Sequence, residues 1–280
     1  MDWLQALILG IIQGLTEFLP VSSSGHLIIG KELLGLEVTD NIAFETVVHC
    51  ATVLSTITIL HKEIAVLFQN FFKFHLGRNC IASRSFKQSC ASSPETKYIG
   101  MILLSMIPVM IVGLFFKKTV ESLFGEGLAL VGAMLLVTAI LLSLTSLVKF
   151  SQRKPMGWGS ALLMGIAQAI AVLPGLSRSG TTIATGLLAG TKKEEVAKFS
   201  FLMVLIPILG ETFLGAIKGD FSVAVSGIPT SSLIIGFFAA YLCGCFACKF
   251  MIELIKRTNL LWFALYCSIA GTIALIYVAC

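Results

Sequence analysis

The sequence predicts an all-α polytopic membrane protein. It is expected to be an inverted repeat, each half holding one re-entrant helix hairpin and three transmembrane helices. Three observations carry this expectation. First, the 280 residues are 56% hydrophobic and only 12% charged, with a mean hydropathy of +0.94, whereas soluble domains carry roughly 25% charged residues. Second, six apolar runs are long enough to span a bilayer, which takes roughly 20 residues. Third, two further apolar regions, 3–36 and 158–190, are broken by proline, glycine and serine and resemble each other. The net charge of +5 does not indicate nucleic-acid binding, because the basic residues lie in loops between apolar runs.

The first broken region sets the pattern for the rest. Gln13 and Glu17 are four residues apart and share one face of a helix. Phe18-Leu19-Pro20 ends that helix, since proline lacks a donor and disfavours helix in the residue before it. Ser22-Ser23-Ser24-Gly25-His26 then forms a polar turn leading into a second short apolar helix. Such a turn can hold an oxyanion on backbone amides and a helix N-terminus. Spans are expected at about 43–60, 98–116, 127–148, 197–217, 230–251 and 259–279. The N-terminus does not read as a cleavable signal, because Asp2 stands where a basic start is usual. The whole chain, 1–280, reads as one integral membrane domain. Repeat one covers about 1–148 and repeat two about 158–280, and a basic cytoplasmic loop is expected at about 61–97.

The repeat rests on polar residues and glycines as well as apolar ones. At one constant offset Gly10 matches Gly165, Gln13 matches Gln168, Ser22 matches Ser177, Ser24 matches Ser179 and Gly25 matches Gly180. A hairpin plus three spans is an odd number of crossings, so the second half starts on the opposite side of the membrane. Transporters use this arrangement, with the site at the repeat interface. Fifteen of the 20 Lys and Arg fall in 61–97, 149–157, 191–198 and 249–258. That side is expected to be cytoplasmic, which opens the first hairpin to the outer side and leaves Lys31, Lys117, Lys118 and Lys218 on that other side. The loop 61–97, mixing aromatic and basic residues, is expected on the inner membrane surface. Cys243, Cys245 and Cys248 point in different directions on one apolar helix and are read as small hydrophobes, not a metal cluster.

Arg178 stands out as the basic residue at a break. A buried arginine is costly unless it meets an anion, and its planar fork suits phosphate. The plainer reading is an internal salt bridge to Glu17, and the two are compatible in an empty enzyme. Glu17 is a candidate for proton transfer or metal binding. Gln13 offers a carbonyl oxygen to a metal or hydrogen bonds to phosphate, but cannot titrate. His26 is a candidate nucleophile, base or acid, the plainer reading being a satisfied core histidine. Ser22, Ser23 and Ser24 offer ligands or an attacking hydroxyl, and Ser177 and Ser179 flank Arg178. For all five serines the alternative is local bonding to free amides at the breaks. Glu45 and Glu211 are read as facing the interface near span ends, and His49 as lining the cavity.

The motifs Gln13-Gly-Leu-Thr-Glu17-Phe-Leu-Pro-Val-Ser22-Ser-Ser-Gly-His26 and Pro174-Gly-Leu-Ser177-Arg178-Ser-Gly180 resemble those of the undecaprenyl-diphosphatase family, also called the bacitracin-resistance family. The stretch Ala197-Lys-Phe-Ser-Phe-Leu is similar too, and the resemblance covers essentially the whole chain. It implies an enzyme that dephosphorylates undecaprenyl diphosphate to the monophosphate at the outer face of the bacterial cytoplasmic membrane. That would recycle the lipid carrier for cell-wall synthesis and confer bacitracin resistance. It also implies a divalent cation, Mg2+ or Ca2+, with Glu17 and Gln13 as metal ligands. By the same resemblance Glu17, Ser23, His26 and Arg178 are the catalytic residues. Gln13, Ser22, Ser24, Gly25, Ser177, Ser179 and Gly180 are the substrate-binding ones. Ser23 is the preferred nucleophile, with His26 or a water molecule as alternatives. Undecaprenyl diphosphate and membrane lipid are the expected partners, without nucleic acid, and a homodimer is one option for the assembly. The competing class is a lipid flippase, which inverted repeats and a buried Arg–Glu pair would also suit; it would not need Ser23 or His26.

Overall fold

A computed structural model describes residues 1–36, 42–76, 94–124, 127–147, 154–218, 227–257 and 259–279. These residues form thirteen helices and no strand. In chain order they are α1 (Trp3–Thr16), α2 (Ser23–Leu33), α3 (Ile42–Ile59), α4 (His61–Leu76), α5 (Pro94–Phe115), α6 (Lys117–Phe124) and α7 (Leu128–Leu147). The second half holds α8 (Trp158–Ile170), α9 (Arg178–Leu188), α10 (Lys193–Met203), α11 (Leu205–Lys218), α12 (Thr230–Arg257) and α13 (Leu261–Ala279). Five segments are long and apolar enough to cross a membrane: α5, α7, α10 with the start of α11, α12 and α13. A sixth arises if α3 and the start of α4, bent by 78° at their junction, count as one span. The protein is thus all-α and polytopic, as the composition predicts.

The distribution of polarity is that of a protein dissolved in lipid. Phe238, Leu242, Phe246 and Phe250 run along one face of α12 and are all exposed. Gln13, Lys31, Thr52, Thr56, Ser105, Thr138, Gln168 and Thr182 are buried. Apolar side chains need no burial when the surroundings are acyl chains, so packing is left to small residues that let backbones approach. Gly10 of α1 meets α12 so closely that a Cβ there would lie 2.5 Å from the Gly236 carbonyl oxygen. Helices α7 and α13 cross at a reciprocal glycine pair: a Cβ on Gly132 would lie 3.0 Å from Gly271 O, and one on Gly271 2.8 Å from Gly132 O. Helix α8 rests on α5 through Gly165 against Ser105.

The two broken regions fold alike locally. In each, a short helix (α1, α8) ends in a turn and a second helix (α2, α9) leaves it. Asp2 starts α1 with a capping box: its carboxylate accepts from Gln5 N at 2.8 Å, and the Gln5 side chain accepts from Asp2 N at 2.8 Å. Ser22 caps α2 by accepting from Gly25 N at 3.2 Å, and Ser177 caps α9 by accepting from Gly180 N at 3.0 Å. The tips interlock where the Ser179 hydroxyl donates to Leu19 O at 2.9 Å.

Several expectations are corrected. Lys31 is not a solvated loop residue but fully buried, donating to Glu45 Oε1 at 2.5 Å and tying α2 to α3. A lone buried ammonium would be untenable in an apolar interior, so the pair explains both residues; Glu45 faces Lys31 instead of the interface. Residues 61–76 of the expected loop are helix α4, and α5 already begins at Pro94; 77–93 lie outside the described residues. The span expected at 197–217 is present as Lys193–Leu214, with an interruption at Val204 between α10 and α11. The side chains of Lys117, Lys118, Glu211 and Lys218 lie outside the described residues.

Candidate active site

Glu17 is the centre of the site. It ends α1 as the C-cap, one helical turn after Gln13, and its carboxylate is only 8% exposed. Each oxygen has its own partners. Arg178 Nη2 donates to Oε1 at 2.8 Å. The Ser23 hydroxyl donates to Oε2 at 2.5 Å, and Gln13 Nε2 donates to the same oxygen at 2.9 Å. An ionised carboxylate accepts only, so Ser23 Oγ must give its proton toward Glu17.

His49 of α3 completes this group. Gln13 Nε2 lies 3.1 Å from His49 Nδ1, and its two amide protons suffice for Glu17 and for this nitrogen. His49 Nδ1 then carries the lone pair and stands 3.6 Å from Glu17 Oε2, too far for a hydrogen bond. Turning the Gln13 amide around would set its oxygen against the carboxylate, so this orientation is the one the site selects. It leaves Gln13 Oε1 buried without a partner among the described residues.

The positions of Ser23 and Arg178 follow from their helices. Each is the first residue of its helix, after a serine cap. Helix N-termini carry free N–H groups and partial positive charge. Ser22 reaches its place with a φ of 71°, the one positive φ outside glycine among the described residues. A conformation of this kind costs about 1–3 kcal/mol and persists only where the surroundings enforce it. Here it aims the next residue, Ser23, at Glu17.

The remaining candidates are placed differently. His26 does not face Ser23: its Nδ1 lies 2.8 Å from Ser22 O and its Nε2 2.6 Å from the Tyr266 hydroxyl. Ser22 and Ser177 act as caps, and the hydroxyls of Ser24 and Ser179 lie 3.4 Å from those of Ser22 and Ser177 respectively. Gly25 and Gly180 supply the N–H groups that the caps receive. A Cβ on Gly180 would lie 2.9 Å from Ser177 Oγ, so the cap leaves no room for a side chain. A pocket lies against the Glu17–Arg178 pair, with Thr52, Thr56 and Ser200 on its polar wall and Phe18, Phe201 and Ile208 on its apolar one. The sequence reads His49 as lining the cavity but does not show its contact with Gln13 and Glu17, and nothing in it signals Tyr266.

No group of three His, Cys, Asp or Glu is placed to hold a metal among the described residues. The oxygens present still suit a hard cation, which takes one or two carboxylates together with substrate phosphates. Glu17 supplies the carboxylate, and the orphaned Gln13 Oε1 is a buried acceptor awaiting a partner.

Comparison with known proteins gives the family. Residues 6–273 match the family described as Bacitracin resistance protein BacA. An undecaprenyl-diphosphatase of Bacteroides fragilis is 52% identical over 99% of this chain and 98% of its own length. One from Parabacteroides distasonis is 52% identical over 100% of this chain and 98% of its own, and one from Christiangramia forsetii 42% identical over 99% and 98%. With the family matched over residues 6–273 and 52% identity over nearly the full length, the chain belongs to the BacA family of undecaprenyl-diphosphatases.

Proposed function

We propose that this protein hydrolyses undecaprenyl diphosphate to undecaprenyl phosphate and inorganic phosphate, with Ser23 as nucleophile and Glu17 as its base. The observation that carries the reading is the 2.5 Å hydrogen bond from Ser23 Oγ to Glu17, beside an arginine held by the same carboxylate. Phosphoryl transfer asks the protein mainly for positioning and for stabilisation of charge. In the resting site Glu17 occupies Arg178; an arriving phosphate takes over the guanidinium fork and frees Glu17 to act on Ser23.

Ser23 Oγ attacks the terminal phosphorus as Glu17 takes its proton. The new Oγ–P bond forms, the bridging P–O bond breaks, and undecaprenyl phosphate departs with the bridging oxygen and receives the proton from Glu17. Water then attacks the phosphoserine while Glu17 accepts a proton from it and returns one to Ser23 Oγ, releasing phosphate. Arg178 and the free N–H groups at the start of α2 stabilise the equatorial oxygens. A divalent cation, Mg2+ or Ca2+, would be held by Glu17 and Gln13 Oε1 and would neutralise phosphoryl charge. The mixed lining of the pocket suits a charged head attached to an apolar tail.

The site belongs to the outer face of the bacterial cytoplasmic membrane, where this activity recycles the lipid carrier and protects against bacitracin. The placement of 15 of the 20 Lys and Arg on the opposite side supports that orientation. The inverted repeat is part of the same reading, supported by the matched caps Ser22 and Ser177 and by the reciprocal crossing at Gly132 and Gly271. The test is phosphate release from undecaprenyl diphosphate by purified protein in detergent, with and without EDTA, for wild type and Arg178→Ala. Release that EDTA abolishes, added Mg2+ restores and Arg178→Ala loses is expected. No release by folded wild type with either cation contradicts the activity.

A further inference from the structure

Tyr266 lies far from the motifs in sequence, on the last helix, yet its hydroxyl stands 2.6 Å from His26 Nε2. The two rings also stack, with centroids 5.5 Å apart and planes at 14°. The other ring nitrogen fixes the proton bookkeeping. His26 Nδ1 lies 2.8 Å from the Ser22 carbonyl oxygen, which can only accept, so Nδ1 carries a proton. Among the described residues no carboxylate hydrogen-bonds to this ring, and in the neutral imidazole Nε2 then holds the lone pair and the Tyr266 hydroxyl donates to it.

The carbonyl that His26 grips belongs to Ser22, the residue with φ 71° immediately before Ser23. It also accepts from the His26 backbone N–H at 3.1 Å. The neighbouring residue on α13, Cys267, contacts the other end of the same turn, its thiol 3.6 Å from Pro20 O. Two adjacent residues of the last helix therefore bracket the turn from Pro20 to His26.

We infer that Tyr266 is a positioning residue for the nucleophile. Through His26 it holds the Ser22 carbonyl, and so keeps Ser23 Oγ within reach of Glu17. The inference rests on the reading of Ser23 as nucleophile. His26 on this account does not attack phosphorus and is not the base for Ser23; it is the middle of a clamp running from Tyr266 Oη to Ser22 O. Loss of the hydroxyl alone frees the imidazole to change tautomer and to release the carbonyl.

Tyr266→Phe tests this, because it keeps the stacked ring and removes only the donor. Two readouts are needed: kcat and KM for phosphate release from undecaprenyl diphosphate, and the ring 15N resonances of His26, assigned by comparison with His26→Asn. Tyr266→Phe is expected to lower kcat by about 10–100-fold with KM nearly unchanged, the size of effect that a misplacement near 1 Å brings. The His26 resonances should shift away from the Nδ1–H pattern of wild type. Ser23→Ala is measured alongside. Activity remaining in Ser23→Ala overturns the nucleophile reading. An inactive Ser23→Ala together with wild-type kcat and unchanged His26 resonances in Tyr266→Phe overturns the role of Tyr266 alone.

Discussion

The two hairpins share a scaffold and differ in what they place on it. Both end a first helix at a break, restart at a serine cap, and put a functional residue at the first position of the second helix. At the shared offset Ser23 of the first hairpin corresponds to Arg178 of the second, Glu17 to Val172 and His26 to Thr181. On the proposed mechanism, the first hairpin carries the nucleophile, the base and the clamp, while the second delivers the cation. The backbones differ to match: Ser177 caps α9 with an ordinary φ of −66°, whereas Ser22 caps α2 at 71°. A relaxed cap is enough to present a long, flexible arginine. A short serine side chain that must meet a carboxylate at 2.5 Å needs its backbone aimed, and the strain sits where that aim is set. Gln13 and Gln168 show the same division. Gln13 spends its amide protons on Glu17 and His49, while neither polar atom of the buried Gln168 side chain has a partner among the described residues.

This comparison can be broken or sharpened by mutation. The largest expected effect is at Ser23. Ser23→Ala should lower kcat by about 10⁴-fold or more, near 5 kcal/mol, while Ser24→Ala, one residue on, should stay within about tenfold. Equal losses at the two serines, read from initial rates of phosphate release, would remove the distinction on which the hairpin assignment stands. Next come the glutamines. Gln13→Leu should cost about 10²-fold in kcat/KM because Glu17 loses a hydrogen bond and the site a carbonyl oxygen. Gln168→Leu should keep activity and raise stability by about 1 kcal/mol by removing a buried unpaired amide, seen as a higher unfolding midpoint in detergent. The smallest effect concerns the caps. Ser177→Ala should cost about 1 kcal/mol of stability. Ser22→Ala should cost more, since alanine at φ 71° keeps the strain and loses the bond that offsets it. Its activity should also fall further than its stability.

Local chemistry made much of this site legible. Proline after Phe18-Leu19 announces the first break, and the spacing of Gln13 and Glu17 places both on one face. A lone arginine beside a serine-rich break calls for a carboxylate, and the Arg178–Glu17 pair supplies it. What escaped the sequence depends on contacts between distant segments. His49 joins Glu17 only because α3 packs against α1. Lys31 reads as a surface charge until Glu45 of α3 is seen to neutralise it in the interior. Tyr266 is one aromatic residue among many in an apolar helix, and only the position of α13 beside the first hairpin gives its hydroxyl a histidine to meet. The clustering of hydroxyls at Ser22 to Ser24 was visible, but that Ser22 caps the helix while Ser23 meets Glu17 follows from the positive φ of Ser22.

The central claim, that Ser23 attacks phosphorus with Glu17 as base, is tested most directly by trapping the intermediate. Wild-type protein is mixed with undecaprenyl diphosphate labelled with 32P in the terminal phosphoryl group, quenched in acid within the first turnover, digested and mapped. The account predicts label on the peptide containing Ser23, recovered as phosphoserine, that disappears in Ser23→Ala and falls sharply in Glu17→Gln. Complete release of labelled phosphate without label on the protein at any time point, or label recovered on His26, would contradict it.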